Sequence, residues 1–189
     1  MLLLLSWVLH IKWNDLPIMK KRRKKEQRAQ TFRAGVGAII LNENGKVLGL
    51  ERKDIPGAWQ LPQGGLDEGE TPLEAVRREV REETGIEPGH LELLASASRL
   101  LAYELPPEAR SPKTGRGQVL YWFLFRFTGP DEAITLGDHK EFMDWKWMSM
   151  EGLATKVVSF KQPVYQELAR DFKSYWEGSS SQMTDYAET

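Results

Sequence analysis

The stretch from Gly64 to Ile86 (GGLDEGETPLEAVRREVREETGI) constrains this chain most, because it predicts both ends of one helix. Its segment Thr71-Pro72-Leu73-Glu74 has the pattern of a capping box, with proline at the first helical position. Gly85 stands where a glycine commonly ends a helix. Between these signals, apolar residues recur at helical spacing: Leu73, Val76 and Val80. The sequence therefore predicts a glycine loop followed by an amphipathic helix with defined ends.

Three glutamates lie near the end of this helix. Glu79 precedes Glu82 and Glu83 by three and four residues, so the three carboxylates share one helix face. Carboxylates this close repel one another, and the packing of an apolar core does not require them. The cluster indicates that a strongly cationic group binds against this face. The alternative interpretation is a solvated acidic face of a surface helix.

The composition narrows the kind of cation. The chain has no cysteine, and its three histidines (His10, His90 and His139) are scattered along it. Metal binding would therefore rest on carboxylates, which select hard ions such as Mg²⁺ or Mn²⁺. The lack of cysteine also excludes disulfides and cysteine nucleophiles, so a reducing, cytoplasmic location is expected. A net charge of −1 gives no overall attraction to nucleic acid or membrane.

Residues 1–31 are predicted to be an extension outside the folded domain. Met1–Trp13 is apolar but shorter than the roughly 20 residues of a membrane span, and no positive charge precedes it as in a signal peptide. It is either a peripheral anchor, helped by the basic run Lys20–Lys25, or a leader before a start at Met19. No stable membrane insertion is expected. The small, polar residues 178–189 are predicted to be a disordered tail.

Residues 32–177 are predicted to form one α/β domain. The strand-like runs Arg33–Leu41 and Lys46–Glu51 flank an Asn-Gly pair, which favours a hairpin. A mostly apolar run from Gln118 predicts a central strand buried on both faces. Two further segments are predicted to be a polar, proline-rich loop and a second amphipathic helix: Ala102–Gly117 and Pro163–Trp176.

The spacing within Gly64–Ile86 resembles the Nudix box. Five residues separate Gly64 from Glu70, and seven more lead to the run REVREETGI, which starts at Arg78. Every defined position of that motif is filled. The resemblance implies an α/β/α sandwich around a central mixed β-sheet. It also implies hydrolysis of a nucleoside diphosphate linked to another group.

The resemblance also implies roles for individual residues. Glu79 and Glu83 are expected to bind Mg²⁺ directly, and Glu82 directly or through water. The carbonyl of Gln63 would complete the site. Outside the box, Glu141 is similar to an additional carboxylate that approaches the metals and assists the activation of water; an ordinary glutamate at a strand edge is the alternative. Structural roles in the motif are implied for four residues: Gly64, Glu70, Arg78 and Gly85.

The segments that flank the box resemble one branch of the family. WQLPQGG, YELP, GQVLYWFLF, EFMDWKW and VVSFKQPVY occur in the same order in RNA pyrophosphohydrolases and asymmetrical diadenosine tetraphosphate hydrolases. That likeness implies phosphate contacts from Arg33, from Arg52 or Lys53, and from Lys161. It also implies that Tyr103 and Phe160 flank a base by stacking. Ordinary surface charge and core packing are the alternative roles for these side chains.

The function implied by the whole pattern is a Mg²⁺-dependent pyrophosphohydrolase that uses water to cleave 5′-polyphosphate ends. Its expected substrates are 5′-triphosphorylated RNA, diadenosine polyphosphates such as Ap4A, or both. Two alternatives remain at this point. One is hydrolysis of another nucleoside diphosphate derivative, such as ADP-ribose or an oxidised dNTP, and the other is a Nudix domain that binds nucleotides or RNA without catalysis. No obligate protein partner is inferred.

Overall fold

The structure, a computed structural model, describes residues 30–137 and 141–176. These residues contain eight strands of one sheet: β1 (Phe32–Leu41), β2 (Val47–Arg52), β3 (Trp59–Gln60), β4 (Gln63–Gly65), β5 (Leu91–Ser96), β6 (Leu101–Glu104), β7 (Gly117–Phe127) and β8 (Phe142–Met148). The helices are α1 (Pro72–Thr84), α2 (Met150–Lys156) and α3 (Gln162–Asp171). Short 3₁₀ turns occupy Pro88–His90, Pro107–Ala109, Asp131–Ala133 and Ser159–Lys161. No helix in this part of the chain is long and apolar enough to cross a membrane.

The sheet is mixed, and strand β1 is at its centre. β1 pairs in parallel with β7 from Phe32↔Gly117 to Leu41↔Arg126. The other edge of β1 is divided, because β4 pairs antiparallel with Gly35–Gly37 and β2 pairs only at its far end. The remaining pairs are antiparallel: β5 and β6 with β7, and β3 and β8 with β2. This division brings the short strand β4, which carries the glycine loop, next to the middle of the sheet.

Helices cover both faces of the sheet, because its central strands are apolar on both sides. On one face, Val36 and Ile40 of β1 join a core with Val76 and Val80 of helix α1. On the other face, Ile39 and Leu41 of β1 join Trp122 of β7 in a second core, which includes Leu153 of α2 and Leu168 of α3. The predicted α/β/α sandwich around a mixed sheet is confirmed.

The local predictions have mixed outcomes. The hairpin forms: the Asn42 side chain accepts hydrogen bonds from the backbone of Asn44 and Lys46, and Gly45 has a φ of 68°. The predicted loop from Ala102 to Gly117 is wrong at its start, because Leu101–Glu104 pairs with β7 as strand β6. Helix α2 was not predicted, since its seven residues are too few to show a period. The predicted extension up to residue 29, with Met19 and Lys20–Lys25, and the tail 178–189 lie outside the described residues.

Helix α1 has the ends that its sequence predicts. The backbone N–H of Thr71 donates to the Glu74 carboxylate at 2.9 Å, and the Thr71 hydroxyl accepts from the Glu74 backbone N–H. At the other end Gly85 has a φ of 74°, and its N–H donates to the Arg81 carbonyl. A Cβ atom at Gly85 would lie 2.1 Å from the Thr135 hydroxyl oxygen. Glycine is therefore required there both by the left-handed backbone and by space.

Replacing Gly85 by alanine should destabilise the fold, and Gly89 provides the matched control. Gly85→Ala combines a left-handed backbone with a steric clash, so we expect a loss of roughly 1–3 kcal/mol in the free energy of unfolding. Gly89→Ala places its methyl group in open space, and we expect a change of at most about 0.5 kcal/mol. Urea unfolding measures both values. Equal losses in the two variants would contradict a specific requirement at Gly85.

Candidate active site

The glycine loop meets helix α1 at Gly64. A Cβ atom at Gly64 would overlap the Glu79 carboxylate, so any side chain there would displace this carboxylate from the loop. Strand β4 holds this loop in position, because Gln63–Gly65 pairs with Gly35–Gly37 of β1. Gly64 therefore allows the Glu79 carboxylate to lie directly against the backbone of the loop.

Arg78 joins the loop to the glutamates of the helix. Its Nε and Nη2 atoms donate to the two oxygens of the Glu70 carboxylate, both at 2.9 Å. Nη1 donates to Glu79 at 2.8 Å and to Glu82 at 3.3 Å, and Nη2 also donates to the Gly65 carbonyl at 3.1 Å. The hydrogen bonds from Arg78 to Glu70 hold the pKa of the Glu70 carboxyl below its usual value. The bidentate contact ties the loop to the helix and orients two of the three clustered carboxylates.

Glu83 is the most buried member of the cluster. Its Oε2 atom accepts a hydrogen bond of 3.0 Å from the backbone N–H of Gln63. Burial raises the pKa of Glu83 well above its usual value despite this bond, and the neighbouring Glu79 adds to the rise. Burial also raises the pKa of Glu79, although the hydrogen bond from Arg78 opposes the rise. Two of the three carboxylates are therefore poorly solvated in their charged form.

The chemistry of these side chains fits a hard divalent cation. Mg²⁺ prefers carboxylate oxygens, and Glu83 forms no ion pair with any described residue. Burial destabilises the charged Glu83 carboxylate more than the nearby Lys161 cation stabilises it, and a bound cation would relieve that destabilisation. Within residues 30–137 and 141–176, no three acidic or histidine side chains converge closely enough to hold an ion. The present contacts explain this, because Arg78 holds Glu79 and Glu82 while the N–H of Gln63 holds Glu83.

A cavity of about 600 Å³ opens beside the carboxylates. The three helix glutamates, Glu79, Glu82 and Glu83, line this cavity, and so does the exposed Glu141. Basic side chains come from three other parts of the chain: Arg33, Arg52 and Lys161. The folded chain therefore brings the predicted carboxylates and the predicted phosphate-binding cations to one cavity.

Of the two neighbouring cations that the sequence left open, Arg52 reaches the cavity. Its guanidinium donates to Asp54 at 2.9 and 2.6 Å and to the Oε1 atom of Gln60 at 3.2 Å, which fixes its orientation. Lys53 is exposed and does not line this cavity. It lines a smaller adjoining cleft, where its backbone N–H donates to the Glu141 carbonyl at 2.8 Å.

Lys161 is buried at the cavity wall. Its Nζ atom donates to the Oε1 atoms of Gln60 and Gln63 at 3.0 and 3.1 Å, and it lies 5.2 Å from the centre of the Tyr103 ring. Burial, together with the nearby Arg52 cation, lowers the pKa of Lys161 to about 7. The nearby carboxylates of Glu83, Asp54 and Glu141 oppose this lowering, and the two amide oxygens accept the hydrogen bonds of the Nζ group.

Tyr103 and Phe160 contact each other instead of leaving a gap between them. Their ring centres are 5.7 Å apart and the rings are tilted by 42°. Tyr103 is buried, its pKa is raised by burial to about 12, and its hydroxyl bonds to the side chains of Gln63 and Gln118. The two rings contact each other directly, and the expectation that they flank a base by stacking stays a prediction. The partly exposed Phe160 is the ring that lies towards solvent.

Four polar residues of the cavity were not predicted as site residues: Asp54, Gln60, Thr114 and Gln118. Gln60 is a buried amide within the apolar run from Trp59 to Leu61. A buried polar side chain requires hydrogen-bond partners, so this position carried a usable signal. Gln118 is a single polar residue at the start of the apolar run of strand β7, and it carried a weaker signal. Asp54 lies in a polar loop, and its sequence gives no sign of the contact with Arg52.

Comparison with known proteins supports the fold and the motif together. A model of the NUDIX domain matches residues 31–168 of the chain. The chain belongs to the Nudix family. This match confirms the family and the fold that the box predicts.

Nudix relatives of similar length include plant and bacterial proteins. Nudix hydrolase 26, chloroplastic, of Arabidopsis thaliana is 39% identical over 188 residues, which cover 87% of this chain and 86% of that protein. An RNA pyrophosphohydrolase of Cereibacter sphaeroides is 42% identical over 149 residues, 76% of this chain and 92% of the relative. The solved Ap4A hydrolase of C. elegans has the same fold, with a TM-score of 0.60 at 22% identity over 77% of this chain and 98% of that one.

Replacing Glu83 by glutamine should stabilise the metal-free protein. The raised pKa of Glu83 means that its carboxyl contributes stability at low pH, and that this stability is lost as pH rises through the folded-state pKa. The amide retains an acceptor for the Gln63 N–H but carries no charge. We expect Glu83→Gln to be more stable than the unsubstituted protein by roughly 1–3 kcal/mol near pH 8.

The pH dependence provides the check. Thermal unfolding with a chelator present should show that the gain disappears below about pH 4, where the Glu83 carboxyl becomes protonated in the unfolded as well as the folded state. Glu87→Gln is the control, because Glu87 is exposed and its side chain caps no helix. A gain that is independent of pH, or equal in both variants, would contradict the burial argument.

Proposed function

We propose that this Nudix protein is a Mg²⁺-dependent pyrophosphohydrolase that cleaves phosphoanhydride bonds at 5′-polyphosphate ends. The substrate is the 5′-triphosphate of RNA, converted to a monophosphate, and diadenosine polyphosphates such as Ap4A are accepted by the same site. Mn²⁺ is a second candidate ion. The cytoplasmic location and the absence of an obligate protein partner stay predictions from the sequence.

One observation carries the proposal: opposite charges line a single cavity. The three helix glutamates and Glu141 suit metal ions, whereas Arg33, Arg52 and Lys161 suit phosphate oxygens. A polyphosphate has this same need, because several negative charges must be neutralised before water can attack. A site for an uncharged ligand would not place both sets of side chains on one wall.

Different residues of the cavity have different roles in the proposed reaction. Bound Mg²⁺ would supply charge neutralisation and a water of lowered pKa, held by Glu79, Glu82, Glu83 and the Gln63 carbonyl. Arg52, oriented by Asp54 and Gln60, binds the phosphates as a fork of donors. Lys161 adds a buried positive charge on the same wall. Glu141, which is exposed and lines the same cavity, would accept a proton from an attacking water.

The names of the relatives favour the RNA end over other Nudix substrates. Several curated relatives at 39–42% identity are RNA pyrophosphohydrolases, and they match over 86–93% of their own length. Ap4A shares with RNA a polyphosphate next to a nucleoside, so the same cations and carboxylates can serve both.

Side-by-side turnover of 5′-triphosphorylated RNA and Ap4A, with Mg²⁺, tests the proposal. Release of pyrophosphate from the RNA, and of ATP and AMP from Ap4A, is expected.

Glu82→Gln and Glu83→Gln should each reduce kcat by at least about a hundredfold, because they remove charge from the metal-binding face, while Glu87→Gln should retain full activity. Failure on both substrates together with turnover of ADP-ribose or an oxidised dNTP would refute this substrate assignment. Tight nucleotide binding without metal-stimulated turnover would favour the non-catalytic alternative.

Adjacent cations allow a matched test of phosphate binding. Arg52→Met should raise KM by about tenfold or more, because a charge-assisted bond to phosphate is worth roughly 1.5–3 kcal/mol. Lys53→Met should change KM by less than about threefold, since Lys53 lies outside the cavity. Steady-state kinetics on Ap4A measures both. A larger effect at Lys53 than at Arg52 would reverse the assignment.

A further inference from the structure

A continuous chain of hydrogen bonds crosses the wall of the cavity. It starts at Lys161, whose Nζ donates to Gln63 Oε1 at 3.1 Å. Gln63 Nε2 donates to the Tyr103 hydroxyl and to Gln118 Oε1, both at 3.2 Å. The Tyr103 hydroxyl donates to the same Gln118 oxygen at 2.5 Å. Four side chains from separate parts of the sequence thus form one directed network.

The donor-only chemistry of lysine determines the direction of this network. In its charged form, which a bound anion favours, Lys161 has no acceptor, so the atom of Gln63 that meets it is the oxygen, as in the structure. The Gln63 amide nitrogen must then face Tyr103 and Gln118. The Gln118 atom that meets this nitrogen is in turn its oxygen, which accepts from two donors. Each amide therefore has one permitted orientation.

This orientation leaves the amide NH₂ group of Gln118 as the free end of the network. Gln118 is half-buried and lines the cavity, and its Nε2 atom forms no hydrogen bond with the described residues. Arg33 is its cross-strand partner in the parallel pair of β1 and β7, and it also lines the cavity. In residues 30–137 and 141–176, the Arg33 guanidinium pairs with no carboxylate. Two adjacent donor groups thus lack an acceptor on the protein.

We propose that Gln118 is a substrate-binding residue whose amide NH₂ group, held in one orientation by Tyr103 and Gln63, donates to a phosphate oxygen of the polyphosphate beside Arg33. The inference rests on the proposed function, because it assigns a further contact within the same cavity. Phosphate oxygen is the acceptor chosen, since the neighbouring guanidinium has no countercharge and favours an anion. Gln63 and Tyr103 act here as positioning residues, through their bonds to Gln118.

Two substitutions at Gln118 separate binding from structure. Gln118→Glu preserves the oxygen that accepts from Tyr103 but replaces the donor NH₂ by a second, negatively charged oxygen. Gln118→Leu removes both groups at similar volume. We expect KM for Ap4A and for triphosphorylated RNA to rise by about tenfold in Gln118→Leu and further in Gln118→Glu, with kcat changed by less than about threefold. Gln166→Leu, on the exposed face of α3, is the matched control.

Inorganic tripolyphosphate, assayed as a competitive inhibitor in excess Mg²⁺, identifies the acceptor. Its inhibition constant should rise in parallel with KM, because this probe contains phosphate but no nucleoside. A rise in KM without a rise in this constant would assign Gln118 to the nucleoside and overturn the phosphate contact. Unchanged KM in both variants would overturn the inference entirely. Inactivity of the unsubstituted protein on both substrates would instead overturn the proposed function, so the two failures are distinguishable.

The positioning role of Tyr103 has its own test. Tyr103→Phe removes one of the two donors that orient the Gln118 amide, so a smaller rise in KM of about threefold is expected. The double variant Tyr103→Phe/Gln118→Leu should be no worse than Gln118→Leu alone, because the hydroxyl acts through the amide. Additive effects would show that the Tyr103 hydroxyl contacts substrate independently and would overturn the directed network. Thermal unfolding of each variant verifies that the comparison is made between folded proteins.

Discussion

The contact between Gly64 and Glu79 is the constraint on which the rest of this molecule depends. Because Gly64 has no side chain, the carboxylate lies against the loop backbone, and Arg78 completes the contact by binding Glu70 and the Gly65 carbonyl as well. Strand β4 holds the loop at the centre of the sheet through its pairing with β1. A fixed loop then gives Gln63 a fixed backbone N–H, which is the partner of Glu83. One close approach therefore organises the acidic half of the cavity.

The basic half of the cavity is organised by the amides of Gln60 and Gln63 and by one carboxylate, Asp54, which pairs with Arg52. Lys161 is buried, and its Nζ donates to the side-chain oxygens of Gln60 and Gln63 without a direct ion pair to any described residue. Neutral acceptors leave the positive charge available to an incoming anion, whereas a carboxylate would neutralise it. The same Gln60 oxygen also accepts from Arg52. In consequence, two cations are held close together on the cavity wall, and a polyphosphate relieves the repulsion between them.

The extent to which the sequence predicted these features depends on how local each feature is. The capping box of α1 and the turn at Gly45 follow from neighbouring residues, and both form as expected. Strand β6 was missed because its four residues, within a proline-rich run, become a strand only through pairing with β7. The contact between Tyr103 and Phe160 was missed for the same kind of reason, since it joins residues far apart in the chain. Neither residue has a local signal that distinguishes ring-to-ring packing from stacking on a base.

By itself, the sequence determined the family and the helix with its three glutamates, because these depend on spacings within one or two turns of helix; the hard cation is a prediction from composition. Only the tertiary structure decided which basic and amide groups face that helix. Lys161 and Gln63 are 98 residues apart, and Gln63 and Gln118 are 55 apart, so no local pattern relates them. It also decided between Arg52 and Lys53, whose side chains differ in place although the residues are adjacent. The physical reason is that such contacts arise from strand pairing and the burial of polar groups, which only the complete fold specifies.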